Sequence, residues 1–149
     1  MIYLVIALIV GLALAPLSHF VPSRRQRHQA SLRESAALKG LFVEFRRLPQ
    51  SGAGTAAVAG SNVIYYGLRL KPSRGKVRRQ GVWLRDEQGW RSVGPRLPVP
   101  QVLQDMPAAV LAASVDDASC GVYWQEAGDP STVAQIRENL GDWSEQLQA

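Results

Sequence analysis

Residues 62–93 read NVIYYGLRLKPSRGKVRRQGVWLRDEQGWRSV, and the fold class turns on this stretch. Residues 62–70 are rich in β-branched and aromatic side chains and predict a strand. Residues 71–75, KPSRG, carry turn chemistry. Residues 76–85 predict a further strand, with Gly81 as a bulge. A four-residue turn, Asp86 to Gly89, leads into a short return strand over residues 90–93. Three strands joined by short connections predict an antiparallel meander.

The same reading extends outward. In residues 41–48, LFVEFRRL, Leu41, Val43 and Phe45 point one way while Phe42, Glu44 and Arg46 point the other, which is the period of a strand. Residues 49–61 are a loop of small side chains. Residues 94–100, GPRLPVP, hold three prolines and no regular element. Asp105 followed by Pro107 predicts a helix running to Ser114, with Val110 and Ala113 on its apolar side. Residues 119–126 predict a last strand. Gly128, Asp129, Pro130 and Ser131 open a final helix, in which Val133, Ile136, Leu140, Trp143 and Leu147 keep three-four spacing. There is no internal repeat. The expected class is α+β: a mainly antiparallel sheet of four to five strands with two helices on one face.

No charge precedes Arg24. Residues 2–21 are almost wholly apolar, and about twenty helical residues match the thickness of a bilayer core. The expectation is a transmembrane helix over residues 1–22, uncleaved because no basic residue precedes it and Pro16 follows the Ala13-Leu14-Ala15 triplet. Ala7, Gly11 and Ala15 recur every fourth residue and predict a face for close helix packing. Arg24, Arg25 and Arg27 follow the span. They predict an amino terminus outside, a domain in the cytoplasm and an inner-membrane location, and they either contact anionic phospholipid or merely enforce that orientation. Residues 23–40 predict a basic juxtamembrane helical stalk stopped by Gly40, with the Ser31–Glu34 capping pair in mid-helix or at a restart. Residues 41–149 remain for the folded domain. This layout resembles that of small bacterial inner-membrane accessory proteins, among them an accessory subunit of the Sec translocon; the resemblance is of layout alone and implies no residue role.

Charge divides along the chain. Residues 1–96 hold 16 of the 17 Lys and Arg and four of the 12 Asp and Glu, a net +12; residues 97–149 carry −7. Either the basic half faces an anionic partner or the halves neutralise each other. Lys71, Arg74, Lys76, Arg78 and Arg79 crowd one connection, with Trp83, Tyr65 and Tyr66 on the adjoining strands. Such a cluster suits an acidic protein surface, lipid headgroups or, by stacking, single-stranded nucleic acid.

Catalytic chemistry has few raw materials. The two histidines, His19 and His28, precede the domain, and Cys120 is the one cysteine. Neither a nucleophile–base pair nor a structural zinc site can be assembled from them. Asp116, Asp117, Glu126 and Asp129 read as turn and cap residues. Gly52 to Ala57 matches a dinucleotide fingerprint in its Ala-ending form, but Gly60 interrupts the helix it needs and the position about twenty residues on is basic. The expectation is no catalytic residue, no metal and no cofactor. The function expected is a non-enzymatic, membrane-anchored adaptor or assembly factor that binds a partner protein or complex. The alternative is a module for anionic lipid or nucleic acid, and a homo-oligomer fits either.

Overall fold

A computed structural model describes residues 1–49, 63–72, 75 and 78–149. The Gly52–Ala57 stretch, Arg74 and Lys76 lie outside the described residues. Contacts divide the chain into two units, Met1–Ala30 and Ser31–Ala149.

The larger unit is built on a six-stranded antiparallel sheet, not one of four or five. Its strands are β1 (Phe42–Glu44), β2 (Ile64–Arg69), β3 (Gly81–Asp86), β4 (Gly89–Ser92), β5 (Val110–Val115) and β6 (Ser119–Trp124). Their spatial order is β1-β2-β6-β5-β3-β4. The helix expected from Asp105 to Ser114 is instead strand β5. Its run of alanines favours a helix in isolation, but the segment sits between β3 and β6 with Val110, Ala112 and Ala113 fully buried. Tertiary pairing overrides the local preference. The bulge falls in β5, between Val110 and Ala112. Gly81 pairs in register with Val115, and a side chain there would meet the Trp83 ring at 2.5 Å.

The expected meander is corrected as well. β2 and β3 are not neighbours, because the β5–β6 hairpin lies between them. Described residues at both ends of the connection between them bond the turn of that hairpin. Leu70 N–H donates to Ala118 O at 2.8 Å, and Gln80 Nε2 to Asp117 Oδ2 at 3.0 Å.

One face of the sheet carries the main core. Tyr66, Trp83, Ala113, Val122 and Trp124 meet Val133, Ile136, Leu140 and Trp143 of α3 (Pro130–Gln148) there. The five-residue stripe read from the sequence is the buried face of α3, with Leu147 packed at its end. Leu32 and Ala36 of α2 (Arg24–Leu38) are fully buried in the same core. The second helical contribution to this face is thus α2. Gly40, at φ +80°, ends α2: Leu41 N–H reaches back to Ala36 O and Gly40 N–H to Ala37 O, the pairing of a Schellman stop. The true capping box of α2 is Ser23 with Gln26, whose side chains each accept from the other's backbone N–H; Ser31 and Glu34 lie in mid-helix.

The opposite face has a smaller cluster of Tyr65, Leu84, Ala112 and Tyr123, with no helix residue in it. Two glycines make room there. The Phe42 ring lies over Gly67 and the Tyr65 ring over Gly121, where an added Cβ would stand 2.5 and 2.4 Å from ring atoms.

In the smaller unit, α1 (Ile2–Leu14) has 13 residues. That is about 20 Å of helix, against about 30 Å of hydrocarbon. Pro16 has no N–H to continue the ladder, and the chain goes on as a tighter 3-10 turn over Ala15–Phe20. Among the described residues no helix is long and apolar enough to cross a membrane. The transmembrane helix expected over residues 1–22 is therefore not supported. Nor are the single-pass inner-membrane location and orientation drawn from it, and the layout resemblance loses its basis.

Candidate functional site

The basic connection is held by Arg78. Its guanidinium donates from Nη1 to Asp117 O at 2.8 Å and from Nη2 to Lys71 O. These bonds tie Arg78 to the hairpin turn and to the backbone at Lys71. Arg78 is thus half-buried and occupied, whereas Lys71 and Arg79 are exposed. The nearest acids are engaged elsewhere, Asp116 also facing Arg46 at 3.8 Å. Asp116 Oδ1 accepts from Ala118 N–H at 2.8 Å and Ser119 N–H at 2.7 Å, and Asp117 takes Gln80. Among the described residues neither Lys71 nor Arg79 has a carboxylate within ion-pair range.

The aromatic residues expected beside these cations face inward. Trp83 packs edge-to-face on Trp143 at 5.7 Å, and its Nε1 donates to Pro98 O at 3.2 Å. Tyr65 and Tyr66 are fully buried on opposite faces of the sheet. Strand period places them so: residues 64–69 alternate between the two clusters.

Sequence reading missed a second site. Glu126 is 5% exposed and sits at φ 53°, left-handed backbone that is uncommon outside glycine. Arg33 of α2 grips it bidentately, Nε to Oε1 at 2.8 Å and Nη2 to Oε2 at 2.8 Å. Tyr66 OH donates to Oε1 at 2.9 Å. The hydrogen bond to Glu126 raises the Arg33 pKa, while burial and the neighbouring carboxylate push the Tyr66 hydroxyl well above its usual range. The Phe45 ring covers the outer side of Arg33 at 5.3 Å. Trp124, edge-on to Tyr66 at 5.1 Å, leaves its buried Nε1 without a partner among the described residues. Both carboxylate oxygens of Glu126 are engaged, so the group holds α2 to the sheet rather than standing open to a substrate. Glu126 is therefore not the solvated turn residue that its sequence context suggested. Asp129 does cap: its carboxylate accepts from Ser131 and Thr132 N–H at the start of α3.

In the amino-terminal unit Ala7 and Gly11 lie on α1, and Ala15 is its C-cap, donating to Gly11 O. A side chain added at Gly11 would meet nothing within 4 Å. Arg24, Arg25 and Arg27 occupy the first turn of α2 and are exposed; Arg27 Nε donates to Pro22 O at 3.1 Å. Three cations at the positive end of a helix oppose its dipole.

Among the described residues no three of His, Cys, Asp and Glu are grouped so as to hold a metal ion. Cys120 is buried, and burial pushes its thiol up to about 12, which keeps it from acting as a thiolate at neutral pH. Comparison with protein-family models, with curated proteins and with solved structures found no match.

Proposed function

We propose that the protein is a non-enzymatic adaptor whose folded unit, residues 31–149, binds an acidic surface of a partner protein through Lys71 and Arg79. The observation that carries this reading is the uncompensated charge at the connection between β2 and β3. Arg78 is spent on backbone carbonyls, Asp116 on its own turn and on Arg46, and Asp117 on Gln80, so Lys71 and Arg79 keep their charge facing solvent. Opposite charge on a partner would steer association and set its orientation.

Two further facts support an adaptor over the rival readings. The deeply placed carboxylate, Glu126, is consumed in holding the fold. The aromatic side chains that nucleic-acid stacking requires are turned into the core. The bland alternative, neutralisation between the two halves of the chain, is met only in part. Arg33–Glu126 and Arg46–Asp116 pair across the halves, while Glu138, Asp142 and Glu145 line the outer side of α3 without ion pairs among the described residues. A second copy would offer that acidic row.

The test places a photo-crosslinking residue at position 72 of the full chain in cells, beside Lys71 and leaving both cations in place. A discrete protein adduct, lost when Lys71 is reversed to Glu, supports the adaptor. An adduct of twice the chain's mass would name a second copy as the partner. Absence of any adduct contradicts the reading.

A further inference from the structure

The first 30 residues are a unit in their own right, and their surface is unlike that of the sheet domain. Every residue of α1 is exposed and none is charged; Leu4, Leu8 and Leu12 stand 71%, 61% and 67% open. Soluble surfaces rarely leave so continuous an apolar area uncovered. The helix is apolar on all sides rather than along one stripe, since Ile2, Tyr3, Leu4 and Val5 circle a full turn. A protein groove covers one face of such a helix, whereas lipid chains close around it. The next helix opens with Arg24, Arg25 and Arg27, which have no carboxylate partner among the described residues. Anionic headgroups attract such side chains and relieve the conflict with the helix dipole.

We propose that residues 1–30 dock on the surface of an anionic lipid leaflet. The helix α1, which has no polar face, beds among the acyl chains of that leaflet, too short to cross, and Arg24, Arg25 and Arg27 meet the headgroup phosphates. This surface is independent of the partner site on the folded unit, so either proposal can fail alone.

The test is vesicle flotation of the full chain with phosphatidylcholine alone and with phosphatidylcholine mixed with phosphatidylglycerol. The chain is expected to float with the mixed vesicles and to be released by salt. Replacing Arg24, Arg25 and Arg27 together by Gln is expected to weaken partition by about fivefold per arginine, roughly a hundredfold in all. The paired variant Leu4→Asp with Leu8→Asp, at two exposed sites, is expected to lose flotation altogether. A protease site added before Met1 is expected to be cut by protease supplied outside the vesicles. Equal flotation with neutral and anionic vesicles, no flotation, flotation unchanged in the arginine variant, or protection of the amino-terminal site would each overturn the proposal.

Discussion

Arg33 and Glu126 form a bidentate ion pair across 93 residues of chain, with the Glu126 side chain 1% exposed and the Arg33 side chain 35% exposed. The asymmetry decides which partner is dearer to lose. Removing Arg33 leaves a buried carboxylate without its counter-charge, and Arg33→Met is expected to cost about 3–5 kcal/mol. Glu126→Gln leaves a guanidinium that still reaches water, and is expected to cost nearer 1–3 kcal/mol. Tyr66→Phe removes one hydrogen bond to a charged acceptor and is expected to cost about 1.5 kcal/mol. Urea unfolding of the three variants measures the order, and equal losses for Arg33→Met and Glu126→Gln would refute it.

Gly121 and Gly67 sit side by side on the lesser face, but they are not equally replaceable. A Cβ on Gly121 would meet the Tyr65 ring at 2.4 Å and the Tyr66 carbonyl at 2.6 Å, while one on Gly67 meets side-chain ring atoms only. At Gly67 the half-exposed Phe42 ring can swing aside, leaving the buried Tyr65 ring at 2.6 Å to shift, whereas at Gly121 the backbone itself must move. Gly121→Ala is therefore expected to cost about 1–3 kcal/mol and Gly67→Ala less. Thermal unfolding of both variants gives the comparison.

Asp129 links helix α3 to pH. Hydrogen bonds from Ser131 and Thr132 hold its carboxyl below the ordinary 3.8. Because the folded pKa is the lower one, the stabilising effect is present above the unfolded pKa and is lost as pH falls through the folded value. The Tm difference between wild type and Asp129→Asn is expected to shrink as pH drops below 4. A difference that stays constant down to strongly acid pH would show that the carboxylate's charge contributes nothing.

Cys120 is expected to resist alkylation at pH 8 in the native chain and to react at once in denaturant. Its thiol lies in the core, with Sγ 3.9 Å from Leu140 O and its pKa pushed up to about 12. Thiol titration with and without urea checks this, and prompt native reactivity would mean that β6 opens readily.

The local elements were the legible part of this sequence. The α3 stripe, the Gly40 stop and the strands around Tyr66 and Trp83 follow from side-chain period alone. β5 was not legible because a strand buried on both faces shows no alternation, and its alanines with Asp105 and Pro107 imitate a helix start. Strand order was hidden for a different reason: the β5–β6 hairpin that separates β2 from β3 lies about thirty residues downstream, so the short KPSRG connection gave no hint of it. The role of Glu126 depends on Arg33, far away in sequence, and on a left-handed backbone that no neighbour announces. Trp83 follows the cations in sequence, but the period of two in its own strand turns it to the core. The apolar run at the amino terminus looked like one helix by hydropathy, and Pro16 divides it.

The claim that the folded unit is an adaptor rests on Lys71 and Arg79 being free for a partner and unnecessary to the fold. The most direct measurement compares crosslinked partner yield from the wild-type chain, from Lys71→Glu with Arg79→Glu, and from Arg96→Glu as a charge-reversal control elsewhere on the surface. Stability is expected to change by no more than about 0.5 kcal/mol in any of them. The account predicts that partner yield collapses in the double variant, survives in the Arg96 variant and falls with salt in the wild type. Undiminished yield from the double variant would contradict it.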